Sequence, residues 1–393
     1  MSKGIQQVAR ATILAGLAVL ILFSDAHSAE SPTILSIAAG GRHTCAVLSN
    51  GTIRCWGNNN DGRLGNGKIT QDYGRTVLVA NINSARQAAV GLNFSCASVA
   101  DGTVRCWGGN QYGQLGDGTT NKALTPVKVA ELHSATEVTA GFFHACALIN
   151  SGSISCWGRN DRGQLGNGTQ VESTVPVMVK GITEAIALSA GLSHTCALLK
   201  ARTVRCWGSN QWGELGNGTK IDALVPVDVT GLQSVAAIGT GNNFSCAVIT
   251  SGKVQCWGDN RQGQLGNGTR EGALVPAETK GVTSAQKIHG GSLHACAVLR
   301  QGTVNCWGAN QVGQLGYNTQ DDPARPAQEQ GVPTPDEVMG LRSARDVATG
   351  LMHSCALEDK KSVKCWGGNT NGGYFTTMVG ASTTTPIDIK VVP

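Results

Sequence analysis

From Ile34 onward, short apolar runs alternate with clusters of turn residues, and the alternation repeats. One unit reads as an apolar segment ending in glycine (Ile34 to Gly40), then His-Thr-Cys-Ala-Val-Leu, then a turn. Thr-Ile-Arg-Cys-Trp-Gly follows, then a glycine-rich loop, then a segment such as Pro126-Val-Lys-Val129. Runs of this length bounded by Gly, Asn and Ser are strand signals. The marker Cys-Trp-Gly recurs at Cys55, Cys106, Cys156, Cys206, Cys256, Cys306 and Cys365, with intervals of 50 or 51 residues and a last one of 59. Ten residues before each stands a partner: Cys45, Cys96, Cys146, Cys196, Cys246, Cys296 and Cys355. Four short strands in each of seven units predict an all-β fold, a seven-bladed β-propeller with four-stranded antiparallel blades. A sandwich seldom holds so many strands.

The register of the central hairpin follows from its glycine. Five units place Gly six residues after the first Cys, at Gly51, Gly102, Gly152, Gly252 and Gly302. A three-residue hairpin loop closes with a left-handed residue, where Gly is favoured. Cys45 then faces Cys55, and each Trp faces Ser, Thr or Ala on the neighbouring strand. Arg202 and Lys361 stand where the glycine is missing, and backbone strain is expected at both. Directly opposed strand residues come close enough for a disulfide, so the spacing predicts one disulfide within each blade, using all fourteen cysteines. Zinc knuckles use a shorter Cys spacing, and seven copies of a redox thiolate are improbable; buried free thiols are the remaining alternative.

Composition narrows the setting. Of 393 residues, 53 are Gly and 15% are charged, with 41% apolar, which argues against disorder. A net charge of +5 without any basic run leaves nucleic acid outside the expected partners. Lys3 and Arg10, an uncharged stretch from Ala11 to Phe23, and Ala26-His27-Ser28 form the three-part pattern of a secretory signal. We read residues 1–28 as a signal peptide and 29–393 as the mature propeller, secreted or periplasmic. No stable membrane insertion is expected after cleavage.

The strings His43-Thr-Cys-Ala-Val-Leu-Ser-Asn-Gly51, Cys55-Trp-Gly57 and Asn110-Gln-Tyr-Gly-Gln-Leu-Gly-Asp-Gly118 resemble repeats of the regulator of chromosome condensation family, over about residues 33 to 391. The resemblance implies a seven-bladed propeller. It also suggests two activities: nucleotide exchange on a small GTPase, as in the nuclear namesake, and protein binding through one face, as in secreted bacterial relatives.

Little in the chain points to catalysis. Gly62-Arg-Leu-Gly-Asn-Gly67-Lys68 opens like a phosphate loop, but Ile69 stands where Ser or Thr should hold magnesium. His43, His144, His194, His294 and His353 share one repeat position with Phe94 and Phe244, which points to ring packing rather than a metal. No cofactor, metal or catalytic set is expected. The informative positions are those that vary while the frame holds, the two residues after the glycine ending each first strand. Leu92, Phe142, Phe143, Leu192, Leu293, Leu351 and Met352 are large and apolar there. They form the candidate partner-binding ring, with burial between blades as the alternative reading. The chain therefore reads as a non-enzymatic, monomeric, exported scaffold that binds a protein partner. An exchange regulator or a propeller hydrolase or lyase are the alternatives. The first-strand segment Ile34–Ala38 and the last-strand segment Pro386–Val392 are expected to meet and close the ring.

Overall fold

The computed structural model describes residues 31–69, 75–317, 331–368 and 382–392. The segment read as a signal peptide lies outside the described residues, as does the first half of the Pro-rich insertion that begins at Asp321. The described chain builds seven four-stranded sheets, each with its strands in sequence order. Blade 1 comprises β1 (Ile34–Ala39), β2 (His43–Leu48), β3 (Ile53–Gly57) and β4 (Val77–Leu78). Blades 2 to 7 repeat it over residues 85–128, 135–178, 185–228, 235–278, 285–337 and 344–389. All pairings are antiparallel, so the architecture is the expected seven-bladed propeller.

The hairpin register is the one its glycine dictates. Thr44 pairs with Trp56, Cys45 with Cys55 and Ala46 with Arg54. Leu48 N–H donates to the Thr52 carbonyl at 2.9 Å, so the alternation makes Cys45/Cys55 a non-hydrogen-bonded pair, the closer kind. All seven predicted disulfides form, with Cα–Cα separations of 4.0–4.1 Å. Gly51 sits at φ 77°, and Arg202 takes the same left-handed region at φ 62°. The last blade departs from expectation. There Asp359, not Lys361, has positive φ (50°). Strand pairing extends to Glu358 and Ser362, and an aspartate tolerates the left-handed region better than most residues.

The core lies between blades rather than within one centre. Each Trp packs onto the disulfide of the preceding blade: Trp107 joins Cys45 and Cys55, and Trp157 joins Cys96 and Cys106. In blades 2 to 7 its indole N–H donates to a carbonyl in the preceding blade's glycine-rich loop, as Trp107 does to Arg63 at 2.8 Å and Trp207 to Gln164 at 2.9 Å. The ring closes by the same rule. Trp56 of blade 1 packs with Cys355 and Cys365 of blade 7, and Ile34 and Val391 share that cluster. First and last strand segments therefore meet, as expected. The outermost strands carry a mid-strand proline (Pro126, Pro176, Pro226, Pro276, Pro386). A residue without N–H at an exposed edge blunts pairing with a second chain.

Candidate functional site

One face of the propeller carries both the loops joining first to second strands and the glycine-rich loops joining third to fourth. The first set converges on the axis through backbone hydrogen bonds between neighbouring blades. Gly41 N–H donates to Gly91 O (2.9 Å), Leu92 to Phe142 (3.3 Å), Leu192 to Asn242 (3.2 Å) and Leu351 to Gly40 (2.9 Å). The preceding glycine makes this convergence possible. A Cβ on Gly141 would stand 2.5 Å from the Gly191 carbonyl and 2.2 Å from the His144 ring below it. Glycine is required here by space, not by φ.

Leu92, Phe142, Phe143, Leu192, Leu293, Leu351 and Met352 thus lie in one ring, half-buried, with Met352 the most open at 40% exposure. Phe142 and Leu351 turn toward the axis and line a small recess there. Phe143 lies farther out, beneath the glycine-rich loop of blade 2. Tyr112 on that loop meets it edge-on at 5.0 Å, and Phe142 meets it at 6.5 Å. The Arg159 guanidinium lies 5.0 Å from the Tyr112 ring centre and 5.9 Å from that of Phe143. Two blades on, Arg261 stacks over Trp212 at 3.8 Å. Aromatic rings with arginine are the residues that anchor protein interfaces. Tyr112, Arg159, Trp212 and Arg261 were not among the sequence candidates. A signal was present: Tyr112 and Trp212 occupy a variable position between the fixed Asn and Gly of their loops (Asn110, Gly113; Asn210, Gly213).

Under this ring the histidines have a role that the sequence reading missed. His43 Nε2 meets Ser95 Oγ at 2.7 Å, and His144, His194, His294 and His353 meet Thr195, Ser245, Ser354 and Thr44 at 2.9 Å. Each contact crosses to the next blade and reaches the residue opposite its Trp. Where the blade carries Phe instead, the next blade carries Ala: Phe94 precedes Ala145, and Phe244 precedes Ala295. Ser95, Thr195, Ser245 and Ser354 donate onward to a loop carbonyl, so each accepts from a neutral imidazole whose Nε2 carries the proton. Burial holds His144 and His353 down to about 4 and His194 and His294 to about 3. These side chains are seam fasteners. No group of three or more His, Cys, Asp or Glu among the described residues could hold a metal. The phosphate-loop-like Gly62–Lys68 is an ordinary glycine-rich loop; its Asn59 Oδ1 accepts from Leu64 N–H, as Asn110 Oδ1 does from Leu115 N–H.

Below the ring, the first strands of all seven blades enclose an axial cavity of about 480 Å³. Its polar lining includes Glu137, Ser189, Thr240, Lys287, His289 and Asp346.

The fold has counterparts among known proteins. A family model described as the RCC1-like domain matches residues 17–247 and 135–392. The chain belongs to the RCC1-like family. Among solved structures, yeast RCC1 (Prp20) bound to Kap60 superposes with a TM-score of 0.77 at 20% identity, covering 99% of this chain and 91% of that one. Human WBSCR16 gives 0.73 at 20% identity, covering 86% and 94%. At this identity both likenesses speak for the fold. The ultraviolet-B receptor UVR8 of Arabidopsis thaliana is 34% identical over 116 residues, 26% of this chain and 26% of the receptor. The human E3 ubiquitin-protein ligase HERC2 is 31% identical over 93 residues, 23% of this chain and 2% of the ligase. This RCC1-like chain therefore spans only a small part of the length of those relatives. Its architecture is that of a regulatory or protein-binding propeller, and its seven disulfides fit an oxidising environment. No helix among the described residues is long and apolar enough to cross a membrane.

Proposed function

We propose that this RCC1-like propeller is an exported scaffold that binds a protein partner through the loop face, without catalysis of its own. The observation that carries the reading is the Tyr112–Phe143–Phe142 cluster with Arg159 above it. It is an amphipathic patch at positions that vary, while the glycines beside them are fixed by blade geometry. Rings of this kind contribute large contact area at small entropic cost, and a few such anchors dominate binding energy. Export agrees with the pairing of all fourteen cysteines and with the signal pattern in residues 1–28. The mature chain acts as a monomer and uses neither nucleic acid nor a cofactor. Prp20p of Saccharomyces cerevisiae, 23% identical, binds Gsp1p and histones, and protein binding by that relative supports the class of activity proposed here.

The test is a comparative capture from the envelope and culture medium of an exporting host, using the wild type and the Phe142→Ala/Phe143→Ala variant. A prey retained by the wild type and lost by the variant, with a dissociation constant weakened by at least about 30-fold (about 2 kcal/mol), supports the reading. Equal retention by both proteins overturns it, and a GTPase prey would favour the exchange-regulator alternative.

A further inference from the structure

The axial cavity is not used by the face just described, and its polar groups are not arranged with the symmetry of the fold. Neighbouring first strands touch in chain order around the axis, from blade 1 through blade 7 and back to blade 1. In a seven-membered ring, a residue on blade 3 stands across from the junction of blades 6 and 7. At the third position of these strands, blade 3 carries Glu137, blade 6 Lys287 and blade 7 Asp346, while blades 4 and 5 carry Ala187 and Ala237. Glu137 therefore faces the Lys287–Asp346 pair, whose atoms lie 2.8 Å apart.

The two walls have different chemistry. Glu137 accepts the Leu188 N–H at 3.0 Å, and burial lifts its carboxyl to about 7, with no cation near enough to oppose the shift. Lys287 neutralises Asp346 on the other wall and keeps further N–H donors. His289 is beside them, 4.0 Å from Asp346, and desolvation at the channel wall lowers its imidazole from the usual value. Three residues beyond Asp346 on the same strand, Thr349 is only 6% exposed, and its hydroxyl has no partner among the described residues. It lines the cavity and the recess above it. A buried hydroxyl left without a partner is unfavourable unless something supplied from outside completes it. At the end away from the loop ring, a β-bulge in each first strand places its second residue in solvent, Leu35 and Ile186 among them.

The geometry points to a binding site in the channel for a small zwitterion, a free amino acid or dipeptide, with its ammonium on Glu137 and its carboxylate on Lys287, His289 and Thr349. The separation of an uncompensated carboxyl from a cluster of donors across the axis selects a ligand with charge of both signs. The volume is within the range of ordinary small-molecule sites. A bound ammonium also gives Glu137 the counter-charge that its surroundings lack.

Alanyl-alanine, its carboxy-terminal amide and its N-acetyl form serve as probes, with calorimetric titration into the oxidised mature protein. The dipeptide should bind at least tenfold more tightly than either blocked form. Glu137→Gln keeps the acceptor for Leu188 N–H; it should weaken the dipeptide at least tenfold and leave the N-acetyl form unchanged. Thr349→Val should weaken the dipeptide and the N-acetyl form but not the amide. Melting temperatures within a few degrees of wild type show that both variants fold. No binding by any probe overturns the proposal, as does equal binding of all three or dipeptide affinity that survives both substitutions.

Discussion

Five seams between blades are fastened by a histidine and a hydroxyl, and two by a phenylalanine and an alanine. Both kinds occupy the same place, between the converging glycine above and the Trp–disulfide contact beside it. What differs is only whether the buried pair is polar or apolar, and the two residues switch together. The reason is the cost of an unmatched buried polar group. Exchanging a whole hydrogen-bonded pair for apolar groups is nearly neutral, whereas changing one member strands the other. The unit that repeats in this protein is therefore the seam, with one residue on each side of it, and not the blade.

The largest expected difference between the two seam types appears in acid. Below pH 6.5 the unfolded chain takes up protons on its imidazoles, while the folded seams resist until about pH 3–4. The lowered folded values mean that stability is fully present above pH 6.5 and is lost as pH falls. Each seam histidine should remove more than about 1 kcal/mol per pH unit in that window. Urea unfolding at pH 7 and pH 5 measures this, and replacing His194 with Phe together with Ser245 with Ala should flatten the slope by one histidine's share. An unchanged slope would mean that the seam imidazoles are not held neutral.

Next in size are the disulfides, which are common to both seam types. Removing Cys96–Cys106, beside the Phe94 seam, or Cys196–Cys206, beside a histidine seam, should each lower stability by about 2.5–3 kcal/mol from loop entropy. The two double Cys→Ala variants should agree in their denaturation midpoints. A clear disagreement would show that seam chemistry and disulfide are coupled.

The smallest effect, and the most specific, separates single from paired exchange. Phe94→His opposite Ala145 buries an imidazole N–H without an acceptor and should destabilise by about 1–3 kcal/mol. Adding Ala145→Ser should recover most of that loss. A double-mutant cycle on thermal midpoints reads the coupling directly. Additive effects would show that the His–hydroxyl and Phe–Ala pairing across blades carries no energy.

The blades, the hairpin register, the seven disulfides and the ring closure were all legible from the chain. Each rests on local rules: a strand period of two, a left-handed turn residue, and cysteines a fixed distance apart. The face candidates were partly legible. Leu92, Phe142 and Leu351 stood out because they vary between fixed neighbours, and the same test on the glycine-rich loops would have found Tyr112 and Trp212. Arg159 could not be weighed by that route alone, since its role depends on Tyr112 from another blade reaching over Phe143. The sequence likewise shows a His or Phe at one position and Ser, Thr or Ala at another, about 50 residues away; comparing each repeat with itself hides their link.

By itself, then, the sequence determined how each repeat folds, because a hairpin, its turn and its disulfide involve residues close along the chain. Tertiary structure alone decided what one repeat offers the next. Only closure of the ring brings His353 to Thr44 and sets Glu137 across the channel from Lys287 and Asp346. Those relations join residues of different blades, and the blade-to-blade geometry that places them is a property of the ring as a whole.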